Sequence, residues 1–479
     1  MQTEQMIADV VEQVIRQLNP APHDGSSAGM RTGAVPADAL PTRPGVFAEV
    51  DPAVAAAKRA QQQLIAAGIK IRAQIVNWIK QTAIDKAQEW GRIEFDETRI
   101  GRLDHKVLKL ELFHLLPGVE FLETVAQSGD DGLTVDEFAP WGVIGAITPV
   151  THSIPTLTAN VVSMIAAGNA VVFNPHPSGA KCAAMAVEHY NREIKQRWNI
   201  DSLINTIEPP TLRSAEEIFK HPDVHLLVAT GGPGVARAAM KQPKRAIVAG
   251  PGNPPVVVDE TADFDNAATS IIQGAVFDNN LLCIGEKEVF VVDSVFDQMM
   301  AAMRRAGAFA LDAGQIDRLV KVTIPWQDDH YAVNKDYIGA DPQVLAQVAG
   351  ATVPAGVELL YGETDESNPF VAEEQMMPFV PFVRCRDFDH GLELAIKYEH
   401  GFGHTACIHS NNLDHITRMG QAMNTTLYIV NGPSTGALGA GGEGYASYSI
   451  ATPTGEGVTN PLTFTRFRRM AVSGSLRII

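Results

Sequence analysis

The chain has 479 residues, of which 45% are hydrophobic and 19% charged, and its net charge is −17 at pH 7. That length holds two or three domains with a sizeable core, and the composition is that of a soluble globular enzyme. The acidic balance argues against nucleic acid or an anionic membrane as partner, and with no apolar run of about 18 residues and no leader pattern neither a membrane span nor secretion is expected.

The first element is a helix over residues 1–20. Met6, Ile7, Val10, Val11, Val14, Ile15 and Leu18 recur at spacings of three and four, with Glu4, Asp9, Glu12, Gln13 and Arg16 on the other side. Residues 21–45 read as a flexible linker. From Asn19 to Pro44 there are five prolines, three glycines and no aromatic residue, too little apolar surface to offset the entropy of ordering. A short helix on a tether is marginal alone and needs a partner for its stripe.

The body begins near Val46. Asp51-Pro52 reads as a cap followed by proline at the first helical position, and Gly68 closes that helix. A second helical region spans about 69–88. Residues 132–137 read as a short strand, 143–147 as a buried strand and 156–167 as a helix ended by Gly168-Asn169. A strand at 170–173, a helix at 178–197 and a strand at 225–229 follow. This alternation predicts a parallel sheet with helices on both faces. Strands near 289–292 and 379–383 predict a second α/β lobe.

The four cysteines, Cys182, Cys283, Cys385 and Cys407, form no CxxC pair, which predicts a reducing, cytoplasmic setting and no metal site. Three sit in helix- or strand-like contexts. Cys283 instead follows the polar turn Asp278-Asn279-Asn280 and precedes a glycine and an apolar strand. A thiol at a loop mouth is placed as a nucleophile, although a lone cysteine is more often a structural one. Thr230-Gly-Gly-Pro-Gly-Val-Ala236 follows a strand and opens a helix, so backbone N–H groups can meet a pyrophosphate there; the spacing is not GxGxxG. Ala249-Gly-Pro-Gly-Asn-Pro-Pro255 joins the two lobes along a path that glycine and proline restrict.

Further motifs are Trp141-Gly-Val-Ile-Gly-Ala-Ile-Thr-Pro149, Ala167-Gly-Asn169, Asn174-Pro-His-Pro177, Phe277-Asp-Asn-Asn280 and Gly403-His-Thr405. In order and spacing the whole set resembles the aldehyde dehydrogenase superfamily, and within it the coenzyme A-acylating branch, from about residue 46 to the end. The likeness is greatest to the propionaldehyde and acetaldehyde dehydrogenases of bacterial microcompartments. The resemblance implies an α/β fold with a Rossmann-type cofactor-binding domain at 46–250, to which 130–140 adds an oligomerisation strand. A catalytic α/β domain at 251–435 follows, and 436–479 return to the cofactor domain and form an oligomerisation arm. It implies a homodimer or homotetramer, joined through the strand near 133–138 and the basic stretch Thr463-Phe-Thr-Arg-Phe-Arg-Arg469. It also implies that residues 1–20 are an encapsulation helix for shell proteins, placing the enzyme inside a microcompartment.

The implied chemistry is attack of the Cys283 thiolate on a short aliphatic aldehyde, hydride transfer to NAD, and capture of the acyl group by coenzyme A. Propanal comes first as substrate, with acetaldehyde as the alternative. The Cys283 backbone N–H and the Thr151 hydroxyl are the expected oxyanion donors. His404 is the expected base for the coenzyme A thiol, or else a histidine that only orders the site. Glu374 matches the glutamate that holds the nicotinamide ribose. Thr148, Pro149, Asn174, His176, Pro177, Ser178, Thr230, Gly231, Gly232, Gly234, Val235, Ala249 and Gly250 are the other expected cofactor-binding residues. The chain departs from hydrolytic members at Ala249, where they carry a water-activating glutamate, so the acyl group is left for a thiol. It also lacks the acid that repels the 2′-phosphate, so NADP is admitted beside NAD. The competing readings are a hydrolytic aldehyde dehydrogenase and an idle, shell-binding scaffold.

Overall fold

Runs of β-branched residues alternate with amphipathic helices, and in the computed structural model, which describes residues 43–479, they close into two parallel sheets, a three-stranded antiparallel ribbon and two short antiparallel strand pairs. The helix expected at 1–20 and the linker as far as residue 42 lie outside the described residues. Residues 43–45, expected as linker, are already packed. Arg43 bridges to Val46 and pairs with Glu188 and Glu208, so the folded body starts three residues earlier than the composition suggests.

The first sheet is built from β1 (Val46–Phe47), then, after helices α1 (Val50–Asp85), α2 (Ala87–Thr98) and α3 (Leu103–Glu111) and the ribbon strands β2 (Val125–Gly129) and β3 (Gly132–Pro140), from β4 (Val143–Thr148). It continues through α4 (Ser153–Ala166), β5 (Ala170–Pro175), α5 (Ala180–Trp198), β6 (Ile204–Ile207), α6 (Leu212–Lys220), β7 (Val224–Thr230), α7 (Pro233–Met240) and β8 (Arg245–Ala249). The strand order is β1-β6-β5-β4-β7-β8, all parallel. The chain runs outward from β4 to β5 and β6, then returns to place β7 on the other side of β4. That reversal opens a crevice at the carboxyl ends of β4, β5 and β7, the topological switch point where such sheets hold their ligands.

The second sheet takes β9 (Pro255–Val258), β10 (Glu288–Val292), β11 (Phe309–Ala310), β12 (Leu360–Thr364), β13 (Phe379–Cys385), β14 (Thr405–His409) and β15 (Leu427–Val430). Its order is β11-β12-β13-β10-β9-β14-β15, again all parallel. Its strands are buried on both faces, as parallel strands are: Val289 and Val291 pack into one core and Phe290 into another. The last strand, β16 (Thr465–Ser473), leaves both sheets and pairs antiparallel with β3, completing the β2-β3-β16 ribbon.

The local expectations hold with shifts that have physical reasons. Helix α1 starts at Val50, with Glu49 rather than Asp51 as its cap residue. Proline is tolerated through the whole first turn, because no N–H there has a helical partner, so an Asp-Pro pair does not fix which residue comes first. Gly68, at φ +81° and ψ 173°, does break the helical path, but the chain re-enters a helix at once and runs on to Asp85. Strand β6 and helix α6 are additional to the expected elements; both are short, and periodicity is a weak signal at that length. No helix among the described residues is long and apolar enough to cross a membrane.

Candidate active site

Three loops at the amino-terminal edge of the second sheet carry the chemistry-bearing residues: the segment ahead of β10 with Cys283, the segment ahead of β13 with Glu374, and the turn ahead of β14 with His404. Cys283 and Glu374 open into one cleft of about 480 Å³ whose other wall is the carboxyl edge of the first sheet. Of the residues expected to bind cofactor, Thr148, Pro149, Asn174, His176, Pro177, Thr230, Gly231, Gly232, Val235, Ala249 and Gly250 line this cleft, with Thr151. Ser178, in the 3-10 turn Pro177–Gly179 ahead of α5, and Gly234, within α7, do not line it. A nicotinamide dinucleotide fits the wall present here: a side chain built at Gly231 or Gly232 would meet nothing within 4 Å, so the turn presents bare backbone to the cleft at the start of α7.

The Cys283 loop is held by a run of unusual backbone. Asp278, Asn279 and Asn280 are all left-handed, at φ +52°, +55° and +64°. Asp and Asn tolerate that region better than other side-chain-bearing residues, which is why this turn is written in them. Their side chains pin the turn. Asn279 donates to the Gly339 carbonyl at 3.0 Å and to Asp341 at 2.9 Å, and Asn280 donates to the Glu286 carbonyl at 2.9 Å. The buried Lys287 ammonium donates to the Asn280 carbonyl at 2.8 Å and to its side-chain oxygen. From the opposite side Gly252 closes on the loop. A Cβ there would stand 2.5 Å from the Cys283 carbonyl and 3.1 Å from the His404 ring, so the lobe-joining segment needs glycine at that point.

Although Cys283 keeps some surface in the cleft, burial of the thiol pushes its pKa up to about 12, Glu374 adds to the rise and Lys287 opposes it. Burial likewise pushes the Glu374 carboxyl up to about 7, against Lys287 and a Gly252 backbone N–H. The other cysteines, Cys182, Cys385 and Cys407, are buried and free. His404 departs from the expected arrangement. It is 1% exposed, does not line the cleft, and burial then Lys287 lower its pKa to about 4. Its Nδ1 faces the Thr405 hydroxyl at 2.8 Å, while Nε2 is sealed without a partner. Being packed against Gly252 under the Cys283 loop is what removes it from the cleft.

Behind the thiol lies a second space that sequence reading did not anticipate. It is an apolar cavity of about 60 Å³, walled by Leu112, Phe277, Leu282, Ile284, Leu438 and neighbours. Cys283, His152, Tyr448 and Ile450 line both the cavity and the cleft. Thr151 lines only the cleft, and its carbonyl is taken by the Lys106 ammonium at 2.6 Å. His152 follows Thr151 in sequence and stands ahead of α4, over a buried ionic cluster. Lys109 lies 2.7 Å from His152 Nδ1 and pairs with Asp278; Lys106 pairs with Asp278 at 3.2 Å and Glu94 at 3.3 Å. The one available signal for His152 was its place beside Thr151 in the Pro149 segment.

Comparison with known proteins agrees with this geometry. The model described as "Aldehyde dehydrogenase family" matches residues 45–451. The acetylating acetaldehyde dehydrogenase EutE of Salmonella typhimurium is 42% identical over 439 residues, 91% of this chain and 94% of that one. Among solved structures, a propionaldehyde dehydrogenase from the fucose-utilisation microcompartment of Clostridium phytofermentans superposes with a TM-score of 0.88 at 40% identity, covering 91% of this chain and 100% of that one. A propionaldehyde dehydrogenase of Rhodopseudomonas palustris with bound propionyl-CoA gives 0.88 at 39%, covering 91% and 96%. With a partly exposed thiol in a cleft where two sheets meet and a match that spans most of its length, this chain belongs to the aldehyde dehydrogenase family.

Proposed function

We propose that the protein is a coenzyme A-acylating aldehyde dehydrogenase that oxidises a short aliphatic aldehyde, propanal first, with NAD as acceptor, and that it works as cargo of a bacterial microcompartment. One observation carries the reading: Cys283 stands where a small apolar cavity meets a large cleft. An apolar cavity of about 150 Å³ holds benzene. The cavity behind Cys283 is about 60 Å³, room for an alkyl tail of two or three carbons by the same measure. The relatives described as acetylating and as propionaldehyde dehydrogenases handle tails of one and two carbons, and the longer of these falls in that range.

In this reading the cavity holds the alkyl tail with the carbonyl carbon at Cys283. The Cys283 thiol gives up its proton to water in the cleft, the sulfur adds to that carbon, and the carbonyl π pair moves to oxygen. NAD, when bound, supplies a hydride acceptor on the cleft side. The Thr230–Gly232 turn holds its pyrophosphate, Glu374 its nicotinamide ribose, and NADP is not repelled by any acid in 174–178. Loss of hydride leaves an acyl thioester on Cys283, and Ala249 places no carboxylate at the end of β8 to activate water. Coenzyme A enters by the same cleft; its thiol gives up its proton to water, its sulfur adds to the thioester carbon, and the Cys283–carbon bond breaks to release the Cys283 sulfur, which is reprotonated. Residues 46–250 then serve as the cofactor domain, 251–435 as the catalytic domain and 436–479 as the returning arm.

One feature favours hydrolysis as a second reading. Glu374 is a carboxyl in the same cleft, with a pKa near 7 that suits a general base. The deciding experiment supplies C2 to C6 aldehydes with NAD or NADP, with and without coenzyme A. We expect sustained NADH and acyl-CoA only when coenzyme A is present, and none from Cys283→Ala. Rapid sustained NADH without coenzyme A defeats the acylating reading, and no turnover of any aldehyde favours the scaffold. For encapsulation, residues 1–20 fused to a fluorescent protein are expected to co-localise with shells; diffuse fluorescence counts against it.

A further inference from the structure

The oxygen of an aldehyde held at Cys283 must find a donor at the junction of cavity and cleft, where negative charge develops on it. Four residues line both spaces. Ile450 has no polar side-chain atom. Tyr448 spends its hydroxyl on the Lys109 carbonyl, to which it donates at 2.7 Å. Cys283 is the nucleophile. His152 remains. Thr151, the donor expected from sequence position, faces the cleft alone. Two other hydroxyls belong to the cavity wall. Thr435 Oγ1 is sealed from any probe of solvent size, and Ser447 is bonded to Thr459 at 2.7 Å.

The protonation of His152 follows from its partner. An ammonium has only donors, so the Lys109 nitrogen 2.7 Å from Nδ1 makes Nδ1 the acceptor. The ring proton then sits on Nε2. Burial lowers the Lys109 pKa to about 8; the contact with Asp278, the first residue of the left-handed turn that carries Cys283, opposes that fall, so at neutral pH Lys109 is an ammonium. Unlike His404 Nε2 and both ring nitrogens of His409, the His152 Nε2 is not an unpartnered nitrogen sealed from solvent. Burial first, then Lys109 and Lys106, hold the imidazole far below its usual pKa; the ring also meets the Thr151 backbone, which opposes that fall, and the ring is neutral. A neutral imidazole donates to a carbonyl oxygen without giving up its proton to it.

We propose that the Nε2–H of His152 is the side-chain donor that receives the aldehyde oxygen when Cys283 attacks. The S–C bond forms, the C=O π pair moves to oxygen, and that oxygen accepts the hydrogen bond. When hydride leaves the carbon the pair returns to re-form C=O as a thioester, and the His152 proton stays on Nε2 throughout. The Cys283 backbone N–H, which makes no backbone hydrogen bond among the described residues, is the second donor. Lys109 is a positioning residue acting through His152. The inference rests on the reading of Cys283 as an aldehyde-binding thiol, and its deciding test, protection from alkylation, uses neither NAD nor coenzyme A.

The full chain is treated with iodoacetamide, with and without propanal. Because Cys283 is the partly exposed cysteine, its alkylation is the signal, and propanal protects it by forming the thiohemiacetal. His152→Ala is expected to raise the half-protecting propanal concentration tenfold or more while leaving alkylation without propanal within about threefold. His152→Asn, which keeps an N–H of shorter reach, is expected to recover part of the protection and serves if the alanine variant does not fold. In turnover, loss of one such donor lowers kcat about 10²–10³-fold, with the KM for coenzyme A unchanged. Equal protection of wild type and both variants overturns the proposal, and so does a wild-type thiol that no aldehyde protects. A protected wild-type thiol that yields no acyl-CoA defeats the proposed function instead and leaves the donor assignment standing.

Discussion

Lys287 is the cation that acts on both the thiol and the carboxyl of the cleft, lowering Cys283 and Glu374 while burial raises them. Glu374 in turn raises the thiol, so its own ionisation controls how readily Cys283 ionises. The sign is definite. Below pH about 7 the carboxyl is protonated and adds no charge; above it the carboxylate opposes the thiolate. Glu374→Gln removes that opposition. The cofactor-free variant should therefore be alkylated by iodoacetamide faster than wild type at pH 8, by severalfold, with the difference shrinking below pH 7. Rates that coincide from pH 6 to 9 would sink the coupling. At this scale Cys283 stood out through the order of the motifs around it, because a loop cysteine taken alone is more often structural. His404 was placed by motif but not by environment: whether an imidazole reaches solvent depends on what packs over it, and here Gly252 and the Cys283 loop do.

Elements show the same division between pattern and packing. The Ala167-Gly-Asn169 motif marks a clamp: the buried Asn169 accepts from the Trp141 and Gly142 amides at 2.7 and 3.0 Å and donates to the Phe464 carbonyl at 2.9 Å. Trp141 reaches the same region through a 3.1 Å bond to the Thr465 carbonyl. One asparagine therefore fixes both the entry to β4 and the start of β16. The ribbon that begins there is short of a partner. Successive strand residues face opposite sides, and Phe467 and Met470 on opposite faces of β16 are 59% and 53% exposed. A three-stranded ribbon with neither face covered gains little from burial, and apolar surface of this kind marks an association site. We expect the full chain to sediment as a dimer or tetramer and a chain ending at Phe464 to sediment as a monomer. A monomeric full chain, or an unchanged assembly after the deletion, would remove the ribbon from that role.

Across the whole molecule, the buried cluster of Glu94, Lys106, Lys109 and Asp278 ties α2 and α3 of the first lobe to the turn that carries Cys283. Burial favours a neutral Asp278, but Lys109 and then Lys106 outweigh it and hold the carboxyl below the usual range. The sequence by itself determined the two-lobed α/β plan, the loop cysteine and most of the residues that line the cleft. These depend on local rules: strand–helix alternation, glycines where backbone must meet phosphate, and Asp or Asn where the chain turns left-handed. Only the tertiary structure decided the apolar cavity, the seclusion of His404 and the standing of His152. Those follow from residues far apart in the chain, Lys109, His152, Asp278, Cys283 and Tyr448, whose meeting depends on how the lobes close. Local periodicity holds no record of that closure, because it is set by burial and charge pairing across the interface between the two sheets.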